Sequence, residues 1–200
     1  ILSLGEFFAV IVLGIIIVIV MVICSFFFVK PEAGYNPGAG SAKAKAVREP
    51  ACEVNTGKMA TMPTFWFYYI WAILVSAAGL ALVSQASGIA SQVGTTVSDG
   101  NIATVVGLIS IFNGIGRVIF GGLFDKKGYR FTMILDMIIF IVAALILVLA
   151  LVSGNFAFIV IGFVVGGLAY GGVPPTNSAI ISGFFGRENS SMNFSLINTN

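Results

Sequence analysis

The sequence predicts an all-α polytopic membrane protein, and three observations predict it. Of its 200 residues, 58% are hydrophobic and only 9% charged, whereas a soluble domain carries about 25% charged residues. The apolar residues gather into runs near the length a bilayer requires, about 20 residues each. The polar stretches between the runs alternate between basic ones and ones free of Lys and Arg. A bilayer core offers no water to backbone N–H and C=O groups, so long apolar runs cross it as helices. A water-soluble fold with this composition would need an unusually large core.

Composition also excludes several function classes. A net charge of +2 does not suggest a nucleic-acid partner. There is no histidine, so histidine-based metal or acid–base chemistry is excluded for this stretch. Cys24 lies in an apolar run and Cys52 in a polar one, which makes neither a disulfide framework nor a metal site. No catalytic cluster, cofactor motif or nucleotide-binding loop is present, so neither an enzyme nor an ATP-driven pump is expected. The chain opens at Ile1 inside an apolar run, without a basic start or a small-residue cleavage site, so no signal peptide is expected. It stops at Asn200 in a fresh polar-to-apolar segment and reads as a fragment of a longer protein.

Ile1 to Val29 is nearly continuous Ile, Val, Phe and Leu and predicts a first spanning helix, with Glu6 near its headgroup end. Lys30 to Met62 is the long polar linker, punctuated by Pro31, Gly34, Pro37, Gly38 and Gly40. Residues 41–49 are Ala/Lys-rich and could form a short surface helix; Lys43, Lys45 and Arg48 read as orientation signals or lipid contacts. The bundle proper occupies residues 63–200. Thr64 to about Gln85 is the second span, opening on a belt of Trp66, Tyr68, Tyr69 and Trp71. A soft polar exit follows over 86–100. Asn101 to Phe124 is the third span and Arg130 to Val152 the fourth. After the short turn Ser153-Gly154-Asn155, Phe156 to about Gly183 is the fifth, interrupted by Pro174 and Pro175. Met192 begins a sixth.

Orientation follows from the basic residues. Lys30, Lys43, Lys45, Arg48 and Lys58 lie in the linker, Lys126, Lys127 and Arg130 in the 125–130 loop, and Arg187 in the last loop. The turns at 86–100 and 153–155 carry none. The positive-inside rule therefore makes linker 30–62 and loop 125–130 cytoplasmic.

Arg117 stands eight residues before Asp125, roughly 12 Å along a helix. That depth lies within the apolar slab, where a lone cation costs from a few to more than about 10 kcal/mol. Three arrangements relieve that cost: a water-lined cavity where it meets an anion, a carboxylate partner, or snorkelling to the surface. Residues expected to line a substrate site are Arg117, Asn113, Gln85 and Asn177. Asp125 and Arg130 flank a loop too short to wander, where they can lock two helix ends together. Asp136 is expected to pair locally with Arg130 or Arg117 rather than to carry protons. Pro174 and Pro175 delete backbone donors, so a kink is expected there, with Asn177 beside it.

Gly121, Leu123, Asp125, Gly128 and Arg130 fall in the spacing G-x-L-x-D-x-x-G-x-R between two apolar runs. This resembles the loop joining the second and third helices of each half in major facilitator superfamily transporters. Three stretches resemble, more narrowly, the oxalate:formate antiporter and monocarboxylate-transporter-like branch: TFWFYYIWAILVSAAGLALVSQASGIA, FNGIGRVIFGGLFDKKGYR and PPTNSAIISGFFGRENSSMNFSLINTN. The resemblance implies a fragment of a twelve-helix fold working by alternating access. Residues 1–29 would be its sixth helix, 30–62 its central cytoplasmic loop, and 63–200 helices seven to the start of eleven. Gly121, Asp125, Gly128 and Arg130 inherit a gating role, and Arg117 matches the branch's helix-eight arginine that holds a dicarboxylate. The branch's helix-eleven lysine would fall near or just past Asn200, and MNFSLINTN, where Asn198, Thr199 and Asn200 stand, holds none. A single-charge anion or another metabolite therefore suits the site as well as oxalate. Tyr129 stands where a second basic residue is common. The implied protein is a monomeric secondary transporter in the plasma membrane. It moves a small organic anion and is driven by a proton or a counter-anion. The alternative is a non-transporting sensor or scaffold of the same fold.

Overall fold

A computed structural model describes residues 4–27 and 51–199. The chain divides into two units, Ile1–Val47 and Arg48–Asn200, each taken by itself. In the first unit α1 spans Leu4–Phe26. Its β-branched residues would suit a strand in water, but a helix satisfies its own backbone and needs no sheet partner. The helix expected at 41–49, with Lys43, Lys45 and Arg48, and the side chain of Glu6 lie outside the described residues.

The second unit holds α2 (Thr56–Ala60), α3 (Pro63–Val93), α4 (Asp99–Lys127), α5 (Tyr129–Ser153), α6 (Phe156–Phe185) and α7 (Ser190–Ile197). Among the described residues, α3, α4, α5 and α6 are long and apolar enough to cross a membrane. The first expected span appears as the 23-residue α1, whose described apolar part, Ile11–Phe26, is shorter than those four.

Local chemistry sets the helix ends. Pro63 opens α3, where its missing N–H would have had no partner anyway. The polar exit expected after Gln85 is helical as far as Val93. Its Ala86 and Ala90 are fully buried, and small residues extend a helix wherever a neighbour packs on them. The 125–130 loop shrinks to Gly128 alone, whose φ of 81° is open to glycine and strained for other residues. Asp125, Lys126 and Lys127 therefore ride on the last turn of α4. The α5–α6 turn uses Gly154 at φ 65°, and the Asn155 side chain then caps α6 by accepting from the Ala157 N–H at 2.9 Å. The double proline does not end its helix: α6 runs through Pro174 and Pro175 to Phe185.

Helix α6 is the centre of the bundle. Half of its apolar window is buried, against 17–22% for the other three spans. It meets α4 backbone to backbone. A side chain at Gly167 would stand 2.7 Å from the Ile109 carbonyl oxygen, and one at Gly171 would stand 2.9 Å from Gly116 Cα. Lipid tails are as apolar as leucine, so close approach through small residues, rather than hydrophobicity, holds such helices together. Outward-facing Phe67, Val118 and Val152 are largely exposed, as a lipid face requires.

Residues 51–62, expected to be plain linker, are folded onto the ends of α6 and α7. Val54 and Met59 are buried there with Phe65, Ile181, Phe185 and Ile197. Ala51 and Val54 donate backbone hydrogen bonds to the Gly183 and Phe185 carbonyls, at 3.0 and 3.1 Å. Buried Asn193 accepts from the Thr56 hydroxyl at 2.8 Å and donates to the Val54 carbonyl at 3.2 Å. The Glu53 carboxylate accepts the Arg187 N–H at 3.0 Å and the Glu188 N–H at 3.4 Å, capping the turn into α7.

Candidate functional site

Ser110, Asn113 and Arg117 are spaced to share one stripe of α4. They line a cleft of about 280 Å3 with Val83 from α3 and Tyr170 and Pro174 from α6. The glycine contacts place this stripe against α6, because Gly171 sits directly on Asn113 and the Arg117 backbone. Tyr170 reaches α3 as well: its ring lies over Gly79, where any side chain would collide with it. Arg117 is exposed within this chain, and among the described residues no carboxylate pairs with it. A fixed cation, an amide and a phenol thus border one cleft, an arrangement that can hold a small anion by charge-assisted hydrogen bonds.

The other two expected substrate residues lie elsewhere. Gln85 follows Val83 by two positions, about 200° round the helix. It lines a separate, mostly aliphatic groove of about 330 Å3 with Leu82, Phe140, Ala143 and Leu147. Asn177 is buried in the bundle, where it accepts a hydrogen bond from the Tyr68 hydroxyl. Tyr68 is accordingly a core residue rather than part of an interfacial belt. Its ring stacks on Trp71 with centroids 5.5 Å apart. Trp66 and Tyr69 do serve the helix end, bonding the Ala60 carbonyl and the Thr199 hydroxyl, each at 2.8 Å.

The loop motif is assembled compactly. Gly121 lies under Pro175, with room for ordinary contact. Asp125 is exposed. Arg130 directs Nε to the Tyr129 hydroxyl at 3.0 Å, and its guanidinium carbon stands 5.7 Å from that ring. The Tyr129 ring meets Phe184 edge-on at 4.9 Å, so the residue standing in the usual basic position ties α5 to α6 instead.

Asp136 departs from expectation. It is fully buried, and neither carboxyl oxygen has a hydrogen-bond partner among the described residues, so the pairing with Arg130 or Arg117 is not formed. Helical spacing carried a hint of this. Six residues separate Asp136 from Arg130, about 240° round the helix, whereas a local pair needs three or four.

Four apolar helices of spanning length define an integral, multi-pass membrane protein. The sequence model of the Major Facilitator Superfamily matches residues 1–200, and the chain belongs to that family of secondary transporters. No curated protein and no solved structure matches it significantly.

Proposed function

We propose that this protein moves a small organic anion, a mono- or dicarboxylate, across the plasma membrane by alternating access. The carrying observation is Arg117: a cation inside a span, exposed in a cleft, with no carboxylate partner among the described residues. Asn113 is its neighbour toward the substrate, and Tyr170 and Ser110 complete the wall. The stretches that resemble the oxalate:formate and monocarboxylate-transporter-like branch support a carboxylate. Residues 1–29 serve as the sixth helix of the full protein, 30–62 as its central cytoplasmic loop and 63–200 as part of its second bundle. A proton or a counter-anion drives the cycle, and the protein acts as a monomer. Gly121, Asp125, Gly128 and Arg130 control how α4 and α5 move together.

Uptake of labelled formate and oxalate into vesicles holding the full-length protein tests this, with Arg117→Gln alongside and monodispersity checked for both. A charged hydrogen bond is worth about 1.5–3 kcal/mol, so uptake efficiency is expected to fall roughly ten- to hundredfold in the variant. Equal uptake by both proteins would make Arg117 a structural charge. No uptake of either carboxylate by the wild type would overturn the anion reading.

A further inference from the structure

Asp136 is a buried acid that the anion cleft does not use. Its surroundings come from α3, α4 and α6. Gly172 of α6 makes the room, since a side chain there would stand 2.9 Å from Asp136 Oδ1 and 2.7 Å from the Phe120 ring of α4. Tyr68 of α3 is the titratable group in electrostatic reach, and its hydroxyl is already committed to Asn177. One turn along α6 from Gly172, Thr176 is buried with its hydroxyl unpartnered. Phe120 and Gly172 carry no charge, Arg117 lines the separate cleft, and Arg130 lies on Tyr129. The carboxyl is thus sealed by this chain's own helices, and among the described residues neither a donor nor a cation is supplied.

A buried ion pair needs both partners, and a metal ion needs several oxygen ligands. Among the described residues, no group of three or more Cys, Asp and Glu is assembled to hold a metal. Gaining and losing a proton is the chemistry left to a lone carboxyl group in such a place. An apolar pocket of about 200 Å3 is bounded by Tyr68, Met133 and Phe184. Met133 is one turn of α5 from Asp136, and its flexible thioether is easily displaced.

We propose that Asp136 is a proton-binding site, which takes up a proton from water and returns it to water as the transporter changes state. The link to solute movement rests on the transporter reading, but the site itself is tested without any solute. In vesicles, the full-length protein is treated with dicyclohexylcarbodiimide over a pH series, and the modified peptides are mapped by mass spectrometry. Asp136 is expected to be modified, less so as pH rises. An Asp136 that stays unmodified at every pH, or is modified independently of pH, overturns the site. Infrared difference spectra across the same pH range give a second readout. The wild type is expected to show a protonated-carboxyl band that Asp136→Asn lacks, and an unchanged band in the variant overturns the assignment. Labelled formate uptake under an imposed pH gradient then tests coupling: it is expected to respond in the wild type and not in Asp136→Asn. A variant that still responds overturns the coupling role. Should neither protein take up formate, the anion reading fails and the carbodiimide map still decides the proton site.

Discussion

Single glycines decide how closely α4 and α6 approach, and their positions are not equivalent. Gly167 faces the Ile109 backbone, which cannot yield as a flexible side chain can. Gly122, on the same α4, has nothing within 4 Å of where a side chain would begin. Overpacking costs about 1–3 kcal/mol, and more against backbone. Gly167→Val is therefore expected to lower the temperature at which the solubilised protein loses its monodisperse chromatographic peak, and Gly122→Ala to leave it unchanged. Equal behaviour of the two would mean that the α4–α6 contact is looser than described. Tyr129 makes a related point about substitutions within a motif. It gives up a charge and gains a ring contact with Phe184, so the start of α5 is held to α6 by packing rather than by ions.

At the scale of elements, α6 is the post on which the other spans lean, and the 51–62 segment straps its end. Asn193 joins the strap to α7 through Thr56 and the Val54 carbonyl. Removing its amide leaves a buried carbonyl without its donor, a loss of about 1–3 kcal/mol. Asn193→Ala is expected to speed tryptic cleavage at Lys58 while leaving α3–α6 helical by circular dichroism. An unchanged cleavage rate would show that the apolar contacts of Val54 and Met59 hold the strap unaided. This segment was legible in the sequence only as polar and irregular. Its anchors Val54, Met59 and Asn193 are too scattered to form a periodic pattern, and several of their partners lie more than a hundred positions away.

For the whole molecule, the charge pattern makes a prediction about sidedness. In a cysteine-free background, an impermeant maleimide added to intact cells is expected to label Thr96→Cys and to spare Lys126→Cys until the membrane is opened. The reverse pattern would invert the orientation read from the basic loops. Read alone, the residues established the all-helical membrane class, the rough position of four spans, the turn around Gly154 and the motif that marks the family, but they suggested a six-residue loop where Gly128 alone turns the chain. All of these are local: apolar length, a glycine at positive φ and a fixed residue spacing are properties of neighbours along the chain. Only the tertiary structure decided that α6 is central, that Arg117 and Asn113 share a cleft with Tyr170 while Gln85 and Asn177 do not, and that Asp136 is sealed without a partner. Lipid removes the contrast that makes burial readable in soluble proteins, because outward and inward faces are equally apolar. Which faces meet is then settled by close packing between glycines and side chains far apart in the chain, and that is a property of the assembled bundle.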